Sequence, residues 1–419
     1  MKGTLKNKII ATFLCALALT TSLTACKKDS DAEEKKPASY GTYGAEFARE
    51  LAVSYPGRKA YTNDESYAAD LIKGEFEKLG YTVKEQEFTG TGGVSKNLII
   101  SIEGEGFIHV DEESGAESNV RRKAVIGAHY DSQFSDMDIP SDRTYDAISD
   151  NASGIGCLLT LAKNIKDAKG IGFDVDIVAF GASTDNYAGA RAYYDSLSDS
   201  DKKSLEVMYC IENIYAGDKI YANSGFNSLK LDQKYKMRRK LYQAYDVAYN
   251  DMLYSLNNFN LNYNESGIVT DLNGDGVEDC YREVSLNKSD YVVFDENNVP
   301  IVFFDSGDYF FDKIDKMKET KNLSLQDYNG NIRRTPADST KLLDSVLIEE
   351  DKDRDGDGEI DCTGDILQIR INCVAFIIDE SLLKGSDKGM TPKEYETYRV
   401  ESTRQTYMSE STVASVAGI

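Results

Sequence analysis

The chain has 419 residues, 41% of them hydrophobic, ample material for one large core, and a formal net charge of -23. So acidic a balance excludes nucleic acid and anionic lipid headgroups as partners held by charge. Beyond the first 25 residues no stretch is long and apolar enough to span a bilayer.

Residues 1–25 read as a signal peptide. Lys2, Lys6 and Lys8 precede an apolar stretch from Ile9 to Leu23 that is too short and wrongly flanked for a spanning helix. It ends in Leu23-Thr24-Ala25-Cys26, which resembles the bacterial lipobox and implies a lipid on Cys26 as the first mature residue. Three lysines and no acids leave with the leader, taking the formal charge from -23 to -26. Residues 26–43 contain KKDSDAEEKKPASY, a charged run almost without large apolar groups, the composition of a disordered tether. Together these imply a protein outside the cytoplasm, held on a bacterial membrane through its N-terminal lipid anchor; the alternative is a plain signal peptide with a chance cysteine at position 26.

The domain proper spans residues 44–384. Ala68, Leu71, Ile72, Phe76 and Leu79 form a helical stripe closed by Gly80. Tyr81–Phe88 and Asn97–Ile102 read as strands, and residues 104–122 as a polar excursion in which His109 is an ordinary strand residue. The run Ala124-Val125-Ile126-Gly127-Ala128 is a buried strand. It delivers His129 and Asp131 at its C-terminal end, the edge where open α/β sheets bind ligands. Ser149-Asp150-Asn151-Ala152-Ser153-Gly154 then opens a helix with apolar positions Ile155, Leu158, Leu159, Ala162 and Ile165. A carboxylate at a helix start near a strand-end histidine oriented by Asp131 is a metal-site pattern. The plainer alternative is a core histidine and an N-cap aspartate.

GAHYDS (127–132) followed by SDNASG (149–154) resembles the aminopeptidase Y and bacterial leucyl aminopeptidase family of two-zinc exopeptidases, relatives of glutamate carboxypeptidase. YPGRKAYTNDESYAADLIKGEFEKLGYTV (55–83) is similar to that family's opening helix and strand. The resemblance covers residues 44–384, with insertions near 104–122, 219–285 and 346–365. It implies an α/β fold: a three-layer zinc-exopeptidase-like domain with a central mixed, mostly parallel sheet flanked by helices, plus inserted calcium-type loops. In the family, the strand corresponding to FDVDIVAFG (173–181) leads to two glutamates, a general base and a zinc ligand. Ser183 and Thr184 stand there, and neither hydroxyl is a competent base or a usual zinc ligand. Asp185, one place on, is a possible substitute base. The family's aspartate ligand falls on Glu212, and Ser289-Asp290-Tyr291 with Val299–Phe304 match the next loop and strand. The last metal histidine falls on Arg334 in NIRRTPADSTKLLD, and a guanidinium has no lone pair to offer. The resemblance therefore implies one half-site, His129, Asp150 and Glu212, holding one zinc at most, with Thr184 and Arg334 replacing the other. Arg334 is expected to reach toward Asp150 or Glu212 in place of the missing cation, since an unpaired buried carboxylate is costly. The alternative is that it turns out to solvent.

Residues 229–264 are an insertion, basic at first (KYKMRRKLYQAY) and then rich in Tyr and Asn, expected to contain a helix with a solvated or docking face. The loops DLNGDGVEDCYRE (271–283) and DRDGDGEIDCTGD (353–365) share one pattern. Asp271, Asn273, Asp275 and Asp279 in the first, and Asp353, Asp355, Asp357 and Asp361 in the second, have the oxygen-ligand spacing of calcium loops, or else form acidic surface turns. Cys280 and Cys362 hold the same place in each, which in an exported protein suggests a disulfide. Cys157, Cys210 and Cys373 read as small core residues. A last helix runs from Ile366 to Leu383, and residues 385–419 form a polar tail. Three readings follow: a lipoprotein directed at a peptide or protein ligand with weak or no hydrolysis; an active metallo-aminopeptidase with one metal and a substitute base; or a calcium-stabilised surface binding or adhesion protein.

Overall fold

The computed structural model describes residues 36–111, 113–134, 144–166, 168–230, 234–271, 273–309, 316–353, 358, 363–386 and 389–401. Cys26 and the leader lie outside the described residues, as do Asp355, Asp357, Asp361 and Cys362 of the second acidic loop.

Twelve strands are described: β1 (Lys84–Thr89), β2 (Val94–Ile102), β3 (Phe107–Val110), β4 (Glu117–Val120), β5 (Lys123–His129), β6 (Asp174–Phe180), β7 (Leu205–Ile211), β8 (Lys219–Asn223), β9 (Leu261–Asn262), β10 (Val269–Thr270), β11 (Asp279–Cys280) and β12 (Ile301–Gly307). Eight form one sheet in the order β1-β2-β6-β5-β7-β12-β8-β9. Its middle four, β6, β5, β7 and β12, are mutually parallel, while β1, β2 and β8 join antiparallel. β5 and β12 are near-continuous apolar runs, as expected of parallel strands covered on both faces. Successive residues alternate between two cores. Ala124, Ile126 and Ala128 face the larger one, and Val125 the smaller.

The principal helices are α1 (Tyr43–Ser54), α2 (Asn63–Lys78), α3 (Ser153–Ile165), α4 (Ala188–Ser196), α5 (Lys234–Asn250), α6 (Tyr291–Glu296), α7 (Thr340–Leu347) and α8 (Ile366–Leu383). α1, α2, α3, α5 and α8 contribute to the larger core, α4 and α6 to the smaller, giving the three layers. α3 is apolar almost all round because it lies between the sheet and helices α1 and α8. A Cβ added to Gly44 would meet the Gly156 carbonyl at 2.6 Å, and one on Gly156 the Gly44 carbonyl at 2.4 Å. Only glycine lets α1 and α3 approach so closely.

β3 and β4 form a hairpin across the 104–122 excursion, with His109 exposed on β3. The strand expected over 81–88 begins only at Lys84. The C-terminal segment is not all tail, because residues 392–401 are helical and Ile108 donates its N–H to the Met390 carbonyl at 2.7 Å. Among the described residues no helix is long and apolar enough to cross a membrane.

The first acidic loop departs from expectation. Asp271 accepts the N–H groups of Gly274 (2.8 Å), Asp275 (3.0 Å) and Gly276 (2.8 Å), and the Asn273 amide donates to Asp279 at 2.8 Å. Asp271, Asp275 and Asp279 do not bring three carboxylate oxygens within 4.8 Å of one another. The loop closes on its own backbone amides, an arrangement that calcium loops and plain acidic turns share. Asp353 likewise accepts the Gly358 N–H at 2.9 Å. Cys280 is an exposed free thiol, and its expected partner Cys362 lies outside the described residues. Cys157, Cys210 and Cys373 are buried in the core, as expected.

Candidate metal centre

Three parallel strands deliver side chains to one edge of the sheet. His129 is the last residue of β5, Ser183 and Thr184 follow β6, and Glu212 follows β7. Asp150 precedes α3, in a loop fixed from two sides. The buried Asp338 carboxylate accepts the N–H groups of Ser149 (2.8 Å) and Asp150 (3.1 Å). The buried Arg58 guanidinium donates to the carbonyls of Tyr55 (3.1 Å), Tyr130 (2.8 Å), Asp146 (2.9 Å) and Ala147 (2.7 Å). Arg58 thereby ties the end of β5 to the loop that carries Asp150.

His129 Nδ1 donates to the Asp131 carbonyl at 2.9 Å, which leaves Nε2 facing Asp150 Oδ1 at 3.3 Å. Asp131 also faces the imidazole with its carboxylate, Oδ1 lying 3.6 Å from Nδ1. That carboxylate accepts Ser183 N (2.9 Å), Thr184 N (3.0 Å) and Thr184 Oγ1 (2.8 Å), pinning the loop after β6. One ligand atom each from His129, Asp150 and Glu212 lie within 4.8 Å of one another, and all three residues are buried. Asp150 Oδ1 is buried without a hydrogen-bond partner. One imidazole nitrogen and two carboxylates, one with an orphaned oxygen, suit a single zinc-type ion. Burial alone would raise the Asp150 carboxyl, but His129 and the guanidinium groups nearby hold it below the usual carboxylate range.

The remaining positions offer hydroxyls and guanidinium groups. Ser183 Oγ donates to Asp290 at 3.0 Å, and burial pushes the Asp290 carboxyl up to about 7. Thr184 is spent on Asp131. Asp185, the possible substitute base, is not among the clustered groups. It is turned outward, where Tyr61 OH, Thr91 N (2.8 Å) and Thr91 Oγ1 (2.8 Å) all donate to it, and these bonds lower its carboxyl. Arg334 Nε comes to 3.8 Å from Asp150 Oδ2, with the side chain 45% exposed. The close cation is its neighbour. Arg333 Nη1 donates to Glu212 at 2.6 Å, with the side chain 17% exposed. Arg333, Asp338 and Glu319 were not singled out as site residues from sequence. The adjacent Arg333-Arg334 pair carries a one-residue ambiguity, the only signal for the first, and Asp338 sits inside the NIRRTPADST stretch. Glu319 lies in no motif.

The sequence model of peptidase family M28 matches residues 112–344. The alkaline phosphatase isozyme conversion protein of Escherichia coli (strain K12) is 27% identical over 210 residues, 48% of this chain, and the match spans 59% of that relative's length. Among solved structures, a zinc aminopeptidase from Bacillus subtilis is similar with a TM-score of 0.51 at 14% identity, covering 84% of this chain and 98% of that one. An Acidobacteriales bacterium glutaminyl cyclase is similar with a TM-score of 0.54 at 13% identity, covering 86% and 100%. Likenesses at such identities speak for the fold alone.

Proposed function

The chain belongs to peptidase family M28, and on that premise we propose a peptide-directed member that holds at most one zinc ion and hydrolyses peptides weakly or not at all. What supports the reading is the pair of hydroxyls after β6, Ser183 donating to Asp290 and Thr184 donating to Asp131, at the positions compared with the base and a second ligand. His129, Asp150 and Glu212 would hold the ion, which when bound would polarise a ligand carbonyl. The chain's own groups hold the ligands in place: the Asp131 carbonyl fixes the imidazole, while Asp338 and Arg58 fix the Asp150 loop.

The expected result with purified protein is no more than one equivalent of zinc. Turnover of aminoacyl p-nitroanilides should fall at least about 10³-fold below that of a two-zinc aminopeptidase, the order lost with a general base. Turnover at the two-zinc level would overturn the reading. A second reading, an active single-metal aminopeptidase, is favoured by one observation: Asp290, rather than Asp185, is a buried carboxyl beside Ser183, pushed up to about 7 and so placed to take a proton. Turnover abolished by Asp290→Asn without loss of zinc would favour it.

We further propose a lipid anchor at Cys26, on the strength of Leu23-Thr24-Ala25-Cys26 and the charged run after it. Cys26→Ser is expected to move the protein out of the membrane fraction or stall its processing. Retention there with no incorporation of labelled palmitate into the native protein would decide against it.

A further inference from the structure

We propose that Arg333 is the resident cation of this centre and competes with a metal ion for the Glu212 carboxylate. Its Nη1 lies 2.6 Å from Glu212 Oε1, and its Nε 3.7 Å from Glu319 Oε1. Glu319 also accepts the Arg333 backbone N–H at 2.7 Å, that of Ile332 at 2.5 Å, and the side-chain amide of Asn213, next to Glu212, at 2.6 Å. One carboxylate thus fixes both the main chain and the side chain of Arg333, and the guanidinium is held over Glu212. Burial opposes the charge, but Glu212, Asp150, Glu319 and Asp305 together outweigh it and raise the guanidinium above its ordinary range.

The chemistry sets the guanidinium and an ion in competition. A guanidinium stays protonated and cannot ligate. An ion drawing on Glu212 must therefore take electron density already committed to Arg333 and bring a second positive charge beside it. Arg334, nearly half exposed and 3.8 Å from Asp150, is screened by water and competes far less. A guanidinium in this position leaves the acidic residues balanced with or without metal. The inference rests on the reading of His129, Asp150 and Glu212 as a single-ion site. It does not rest on the loss of hydrolysis.

The test measures zinc affinity by chelator competition on the metal-stripped protein, alongside melting curves. Arg333→Met is expected to bind zinc at least tenfold more tightly than the native protein. Arg333→Lys, which keeps the charge, and Arg334→Met should each stay within threefold of native. Without metal, Arg333→Met should melt below the native protein, and zinc should raise its melting temperature more than it raises the native one. Unchanged or weaker zinc binding by folded Arg333→Met would overturn the inference, as would undetectable zinc binding by both proteins. So would an Arg333→Met chain that fails to refold even in excess zinc, since the ion should then replace the lost charge. Turnover enters none of these readouts, so the proposed loss of hydrolysis and this inference fail separately.

Discussion

Arg58→Met is expected to lower the unfolding free energy by about 4 kcal/mol, read as a fall in the urea midpoint at unchanged slope. Arg58 is completely buried and donates to four backbone carbonyls from three stretches of chain, at Tyr55, Tyr130, Asp146 and Ala147. A hydrogen bond from a charged donor contributes about 1.5–3 kcal/mol, and a buried acceptor left unmade costs about 1–3 kcal/mol. An opposing term is the cost of burying the guanidinium, which lowers its pKa and is relieved by methionine. Methionine also refills much of the volume. Four lost acceptor contacts exceed one relieved charge, so the sign is destabilising. The loss should reach the site, because two of the carbonyls flank the Asp150 loop. Zinc affinity should drop together with stability. A midpoint within experimental error of native would show that the four carbonyls find other partners.

Patterned segments were legible in the chain. The run from Ala124 to His129 reads as a buried strand from its β-branched and small residues, and α3 follows from its apolar positions. His129 and Glu212 meet because the neighbouring parallel strands β5 and β7 end at one edge, and Asp150 joins them from the loop before α3. Long-range contacts were less legible. Arg58 looks like a loop residue between Pro56 and α2, and only the fold brings it under β5. Arg333 and Arg334 are adjacent, and no periodicity decides which of them turns inward. The bonds from Glu319 to the Ile332 and Arg333 amides decide it. The acidic loops leave two readings open for a different reason. Calcium loops and self-capped Asx turns share the same Asp, Asn and Gly spacing, since both need side-chain oxygens near a sharp turn. Asp185 shows how much one position matters: one residue further along the loop its carboxylate faces Thr91.

The second large effect concerns pH. Glu65 is buried on α2, where it accepts Ser95 Oγ at 2.7 Å, Ala182 N at 2.9 Å and Tyr61 N at 2.5 Å. Burial, then the nearby Asp131 carboxylate, push its carboxyl from 4.5 up to about 7, against the pull of those three donors. A carboxyl whose pKa is higher in the folded than in the unfolded chain binds more protons when folded, so its stabilising contribution is complete below about 4.5 and disappears as pH rises through about 7. At about 1.4 kcal/mol per unit, the difference is about 3 kcal/mol. Asp295 and Asp305, each raised to about 6 by burial, act in the same direction. The metal-free protein should therefore lose stability between about pH 5 and pH 8. Glu65→Gln removes the titration. It also sets an amide against donors that Glu65 accepts, a pH-independent cost of about 1–2 kcal/mol. The variant should accordingly be less stable than native at low pH. The gap should close or reverse near pH 8, with a profile flatter by about 3 kcal/mol. Urea midpoints of native and variant at both pH values check this, and parallel profiles would mean that Glu65 is ionised in the folded protein throughout.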